Sequence, residues 1–140
     1  MDLQERRKKV AEYEAFVEQR LVVDLEKASN EREKLLQQIQ DYTSLADSVR
    51  LLQTDTHQLH TMVNLGSDIL AQARVPDATR IFVDIGLGFH AELTWDEAIA
   101  FCQKKEIELN RKLDDDNRRI AGIKSNINLV LEGIRELSQL

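Results

Sequence analysis

Few residues in this chain are of a type and spacing that could do chemistry. Gly86-Leu-Gly88-Phe-His-Ala91 follows a strand-like stretch and matches G-x-G-x-x-A, the pattern with which a βαβ unit holds a dinucleotide pyrophosphate at a helix N-terminus. That use needs a helix starting at the second glycine. Here Phe89, Ala91 and Leu93 alternate with His90 and Glu92, a period of two that belongs to a strand. The glycines therefore read as a hairpin turn. His57, His60, His90 and Cys102 carry nitrogen and sulfur donors. Zinc requires four converging ligands, usually built from a close pair such as C-x-x-C, and the chain has one cysteine. Asp114-Asp115-Asp116 offers carboxylates to a hard cation. On a helix, consecutive side chains diverge by about 100°, and the glycine and glutamate of an EF-hand loop are missing at their offsets. A P-loop, a nucleophile elbow and a redox cysteine pair are also missing. The expectation is a protein that is not an enzyme, with no catalytic, cofactor-binding or metal-ligating residues and no cofactor.

The elements that carry these residues look helical for most of the length. Of 140 residues, 31% are charged, 5% are aromatic and one is proline. High charge with few aromatics and almost no proline suits long helices with much of their surface in water. The net charge of −6 argues against direct nucleic-acid binding, which needs a basic face. Arg6-Arg7-Lys8-Lys9 is the basic cluster. It reads as a solvated helix end, with a localisation or anion-binding patch as the alternative. A single cysteine fits a reducing compartment. No secretory signal and no run of ~18 apolar residues is visible. These features lead us to expect no membrane and a cytoplasmic or nuclear location.

From Leu3 to Leu59 there is neither glycine nor proline, so helix can propagate unbroken. A heptad runs through Leu21, Ala28, Leu35, Tyr42 and Val49. A second apolar set is Leu25, Ile39, Leu45, Leu52 and Leu59. The later spacing predicts a coiled-coil seam through Leu45, Val49 and Leu52. Before residue 21 the seam is looser, through Val10, Tyr13 and Val17, and Asp24, Arg32 and Asp47 fall on the wet face. The second half mirrors the first. Thr94-x-x-Glu97 is a capping box that opens a helix to the end of the chain. Its apolar positions include Leu109, Leu113, Ile120, Ile123, Ile127, Val130, Ile134 and Leu137. Glu108–Lys112, Asp114–Arg118 and Asp115–Arg119 are acid-before-base pairs at i,i+4. Gly122 and Gly133 lie inside this helix, where local fraying or a close helix approach is expected. Trp95 is expected to be an interface or core anchor.

The middle differs. Gly66, Pro76, Gly86 and Gly88 fall there, and Ile81, Val83 and Ile85 alternate with Phe82 and Asp84. This predicts four strands, at about 60–65, 68–74, 79–85 and 88–93, forming two hairpins. The fold class is α+β, a long antiparallel helical coiled coil with two central β-hairpins. It is expected as a single domain of 1–140, with helix over 1–59, hairpins over 60–93 and helix over 94–140. The helices are expected to cover little of the hairpins, because their seam lies further out. Two small hairpins are unstable alone, so the strands are expected to add to those of other subunits.

Helix, two hairpins, helix is the layout that alpha-type prefoldin subunits share. The segment Val75-Pro-Asp-Ala-Thr-Arg-Ile-Phe-Val-Asp-Ile-Gly-Leu-Gly-Phe-His-Ala-Glu-Leu-Thr94 and the later Leu131-Glu-Gly-Ile-Arg-Glu-Leu137 resemble that family. The likeness covers about residues 62–140, and over the first helix it lies in the coiled-coil pattern. The resemblance implies a hetero-hexamer with beta-type prefoldin subunits and another alpha-type subunit. It implies a strand-built platform and helical pairs whose tips hold unfolded or assembling client proteins. It also implies a prefoldin-like module working with the R2TP co-chaperone and the HSP90 system, in the cytoplasm and the nucleus. On this basis Val63, Leu65, Ile81, Val83, Ile85, Phe89 and Leu93 are expected to form the oligomerisation face. Leu3, Val10, Ile134, Leu137 and Leu140 are expected to form the client-binding tips. The alternatives are a coiled-coil adaptor that acts as a transcriptional co-regulator by binding one folded partner, and a purely structural coiled coil.

Overall fold

The computed structural model describes residues 1–55 and 59–140; His57, weighed above as a ligand, lies outside them. In chain order it has α1 (Leu3–Phe16), a π-helical turn (Val17–Leu21), α2 (Val22–Asp55), β1 (Leu59–Asn64), β2 (Leu70–Val75), β3 (Arg80–Gly86), β4 (Phe89–Thr94) and α3 (Trp95–Gln139). Each strand lies within two residues of its expected bounds. The chain divides into two compact units, one of Met1–Gln38 with Leu109–Leu140, the other Ile39–Glu108.

The first unit is helical. Val17, Leu21, Ala28 and Leu109 are buried, and Val10, Leu25, Leu35 and the α3 positions from Leu113 to Leu137 are half-buried. Along α3 these positions step by four and three, as a coiled-coil seam requires. The N-terminal seam does not keep that rhythm. From Val10 it steps by seven to Val17, by four to Leu21, by four again to Leu25 and by three to Ala28. Two consecutive fours carry one residue too many for a heptad. The π-helical turn takes up that residue, with the Val22 N–H donating to the Val17 carbonyl five residues back. A wider turn of this kind re-aims the seam without glycine or proline.

Two polar contacts tie the helices of this unit together. Arg32 Nε donates to Asn117 Oδ1 at 2.6 Å, and Arg119 pairs with Glu31. Arg32 is half-buried and seven residues after Leu25, so it takes a seam position rather than the wet face expected for it. The acid–base pairs within α3 also differ from expectation. They form at i,i+3, between Lys105 and Glu108, Asp115 and Arg118, and Asp116 and Arg119.

In the second unit Val49, Val83 and Ala98 form a buried cluster, with Ile81, Leu93, Trp95, Ile99 and Phe101 packed on it. The Tyr42 ring meets Phe101 edge-on at 6.1 Å between centroids. Thr43 Oγ1 donates to Glu106 and Gln53 Nε2 to Asp96, so the α2 and α3 portions here run antiparallel. Ala46 is buried while Leu45 is exposed, which corrects the expected seam. The steps Leu35, Ile39, Tyr42, Ala46, Val49 keep the alternation of four and three. Leucine at position 45 drew the sequence pattern one residue off. For the second hairpin the cluster also overturns the expectation that the helices cover little of the hairpins, because β3–β4 packs directly on them.

Both hairpins are antiparallel two-stranded sheets, β1 with β2 and β3 with β4. Leu59 faces Val75 and Val63 faces Ala71 in the first; Ile81 faces Leu93 and Val83 faces Ala91 in the second. Their turns repeat one design. Val63-Asn64-Leu65-Gly66 parallels Val83-Asp84-Ile85-Gly86. Asn64 Oδ1 accepts from the Gly66 N–H at 2.8 Å, and Asp84 Oδ1 from the Gly86 N–H at 2.9 Å. Gly66 and Gly86 have φ of 102° and 105°, where a side chain would be strained. At the start of α3 the Glu97 N–H donates to Thr94 Oγ1 at 3.3 Å, which is the threonine half of the capping box.

Helix α3 passes Gly122 and Gly133 without a break, and a Cβ built at either would meet nothing within 4 Å. These glycines mark neither fraying nor a close approach. Gly122→Ala and Gly133→Ala should each stabilise the fold by about 1 kcal/mol, read as a higher midpoint in urea. A lower midpoint for either would show an unrecognised neighbour.

The Arg119 guanidinium, hydrogen-bonded to the Glu31 carboxylate, holds its pKa below the ordinary range, with Lys27 and Lys34 adding to the effect. A depressed carboxylate contributes stability that is fully present above its unfolded pKa of about 4.3 and is lost as pH falls through its folded value. Glu31→Gln should therefore flatten the loss of helix thermal stability in that acid range. Identical pH profiles for the variant and the parent would show that the pair contributes nothing.

Candidate subunit-assembly surface

Period-two alternation decides what each hairpin shows to water. In β3–β4, Val83 is buried and Ile81, Ala91 and Leu93 are half-buried against the helical cluster. The opposite face carries Arg80, Phe82, Asp84, His90 and Glu92, with Phe82 exposed. In β1–β2 no residue is buried at all. Leu59, Ala71, Ala73 and Val75 are half-buried and share a face with exposed Val63. Met62, Leu65, Ile69 and Leu70 are exposed as well.

The structure thus divides the seven residues expected to form an oligomerisation face. Val83, Ile81 and Leu93 are covered by the chain's own helices. Val63, Leu65, Ile85 and Phe89 are exposed and remain available to another chain. Met62, Phe82 and Leu87, which the sequence reading did not name for that face, are exposed as well. For Phe82 the signal was present, since it falls on the face opposite Ile81 and Val83.

Each strand has one hydrogen-bonded neighbour among the described residues, so each sheet presents two open edges. An open edge offers unpaired N–H and C=O groups to an added strand. Beside β3 runs a groove of about 460 Å³ between Tyr42 and Leu45 of α2, Lys105 of α3 and the strand itself. The Lys105 ammonium lies 5.8 Å from the Phe101 ring centre. The groove has largely apolar walls beside a strand edge, with Asp41, Asp84 and Lys105 also lining it, which suits an extended backbone with alternating side chains.

The five residues expected at the tips all lie in the Met1–Gln38 and Leu109–Leu140 unit. Leu3 and Leu140 are exposed, whereas Val10, Ile134 and Leu137 are half-buried. Tyr13 and Phe16 are exposed too, although Tyr13 was expected in the seam.

Cys102 is fully buried beside this chain's own core. Burial pushes its thiol pKa up, and the Glu106 carboxylate adds to the rise, so the thiol stays protonated and packs as a small apolar group. Among the described residues no group of three or more His, Cys, Asp or Glu side chains is placed to hold a metal ion. No described helix is long and apolar enough to cross a membrane.

Comparison with known proteins agrees with this geometry. The prefoldin subunit family model matches residues 23–140. A UXT protein homolog of Dictyostelium discoideum is 40% identical over 139 residues, covering 99% of this chain and 86% of the relative. The prefoldin subunit alpha of Archaeoglobus fulgidus is 31% identical over 105 residues, covering 74% of this chain and 69% of that subunit. Among solved structures, a filamentous PFD from Methanocaldococcus jannaschii superposes with a TM-score of 0.67 at 18% identity, over 81% of this chain and 93% of that one. The chain belongs to the prefoldin family. It is similar to UXT proteins over nearly its whole length. Membership suggests hetero-oligomeric assembly with other prefoldin subunits.

Proposed function

We propose that this chain is a non-catalytic subunit of a prefoldin or prefoldin-like hetero-hexamer, assembled through its hairpins and holding unfolded or assembling clients at the end of its helical pair. The observation that carries this is the first hairpin. It has no buried residue, one largely apolar face and two open edges, and a lone hairpin of this kind is at best marginally stable in water. Strands from beta-type subunits and a second alpha-type subunit would supply both the hydrogen bonds and the cover. Likeness to UXT proteins supports placing the complex beside the R2TP co-chaperone and the HSP90 system, in the cytoplasm and the nucleus. Client holding follows from exposed apolar side chains in the Met1–Gln38 and Leu109–Leu140 unit, where Leu3, Leu140, Tyr13 and Phe16 face water. Such a surface binds unfolded segments weakly and with little sequence preference.

Light scattering tests the assembly. Mixed with beta-type prefoldin subunits, the chain should move to a hexamer-sized species holding two copies of it. Self-association that ignores the beta subunits would favour the adaptor function instead. For clients, Leu3, Val10, Ile134 and Leu137 replaced together by serine should leave the hexamer intact and reduce suppression of aggregation of a denatured test protein. Undiminished suppression would place client contacts elsewhere.

A further inference from the structure

Leu87 is the most exposed large apolar side chain among the described residues, at 97% of its full accessibility. Its backbone has a φ of +54°, in the left-handed region that glycine, asparagine and aspartate tolerate and other L residues avoid. The first hairpin is an internal control. Its turn uses the same asparagine-or-aspartate and glycine device, then places Ser67 and Asp68 at φ of 51° and 63°. Those residues are small and polar, and suit a solvated turn. The second hairpin has the same device up to Gly86 and then a leucine. Gly86 and Gly88 on either side, at φ of 105° and 78°, already give the turn its freedom. Leucine therefore serves neither the turn nor the core of this chain.

A residue that the isolated chain would do better without points to a contact made elsewhere. Leu87 continues the uncovered apolar surface of Ile85 and Phe89, the part of β3–β4 that the helices leave free. The turn holds it in one defined place, which suits a rigid anchor meeting a preformed pocket and not the shifting contacts of an unfolded client. We propose that Leu87 is an assembly anchor, a hairpin-tip side chain that inserts into an apolar pocket of a neighbouring prefoldin-family subunit and sets the affinity of the complex. This rests on the assembly function proposed above.

The test compares Leu87→Asn and Leu87→Met in the full chain. Asparagine accepts the left-handed turn without the apolar volume, and methionine keeps the volume. Leu87→Asn should unfold at the same or a higher temperature than the parent. Mixed with beta-type prefoldin subunits, it should need at least about tenfold higher concentration to assemble, while Leu87→Met should stay within about threefold of the parent. Assembly of Leu87→Asn at the parent's concentration would overturn the proposal and leave the assembly function standing. Weak assembly together with a lower unfolding temperature would also overturn it, by showing a turn defect. Normal assembly with reduced client protection would overturn it in favour of a client contact. Failure of the parent chain to assemble would bring down both.

Discussion

Seating of Val83 between Val49 of α2 and Ala98 of α3 is the contact on which the rest of this structure depends. Ala46, Ala98 and Cys102 are almost or wholly without accessible surface, and a small side chain is buried that deeply only where neighbours approach its backbone closely. The strand that lands there has a period of two. Placing Val83 inside therefore places Ile81 inside and turns Phe82 and Asp84 out. Through the register of β3 with β4 it also fixes Leu93 and Ala91 inward. One contact thus decides which apolar side chains of the second hairpin are covered by this chain and which remain exposed.

The first hairpin has no counterpart of that contact. One face carries Leu59, Thr61, Val63, Ala71, Ala73 and Val75, and none of them is buried. Met62, Leu65, Ile69 and Leu70, at the tip or on the other face, are exposed as well. Two hairpins with matching turns therefore have different fates. One is anchored by the chain's own helices, and the other is left with both faces and both edges in need of neighbours. That deficit, with no further strand among the described residues to meet it, supports the subunit function proposed above.

Much of this was legible in the sequence because period and punctuation are strong signals. The alternation at 81–85 and 89–93, the glycines between them and the seam of α3 from Leu113 to Leu137 appear where the pattern put them. What was misread has identifiable causes. Leu45 looks a better seam residue than Ala46, yet the alternation of four and three selects Ala46, and a core shared by two helices and a sheet has room for a small side chain there. Arg32 looks solvent-facing by charge, although its spacing from Leu25 is a seam spacing. The π-helical turn was not read, although its trace in the sequence is the two consecutive steps of four around Leu21. Which face of each strand the chain covers for itself could not be read, because alternation reveals that two faces exist and not which elements pack on them.

The polar contacts at Arg32–Asn117 and Glu31–Arg119 address a weakness of long heptad seams. A seam of Leu, Ile, Val and Ala repeating every seven residues matches itself almost as well after a slip of one heptad, so apolar burial alone discriminates poorly between registers. A slip of one heptad in one direction would set Arg32 against Lys124 and Glu31 against Asn126, and this pair of contacts penalises it; the opposite slip would offer Asn110 and Lys112 instead and is left to the apolar seam to refuse. Such a pin adds little stability at an exposed site and acts mainly on specificity.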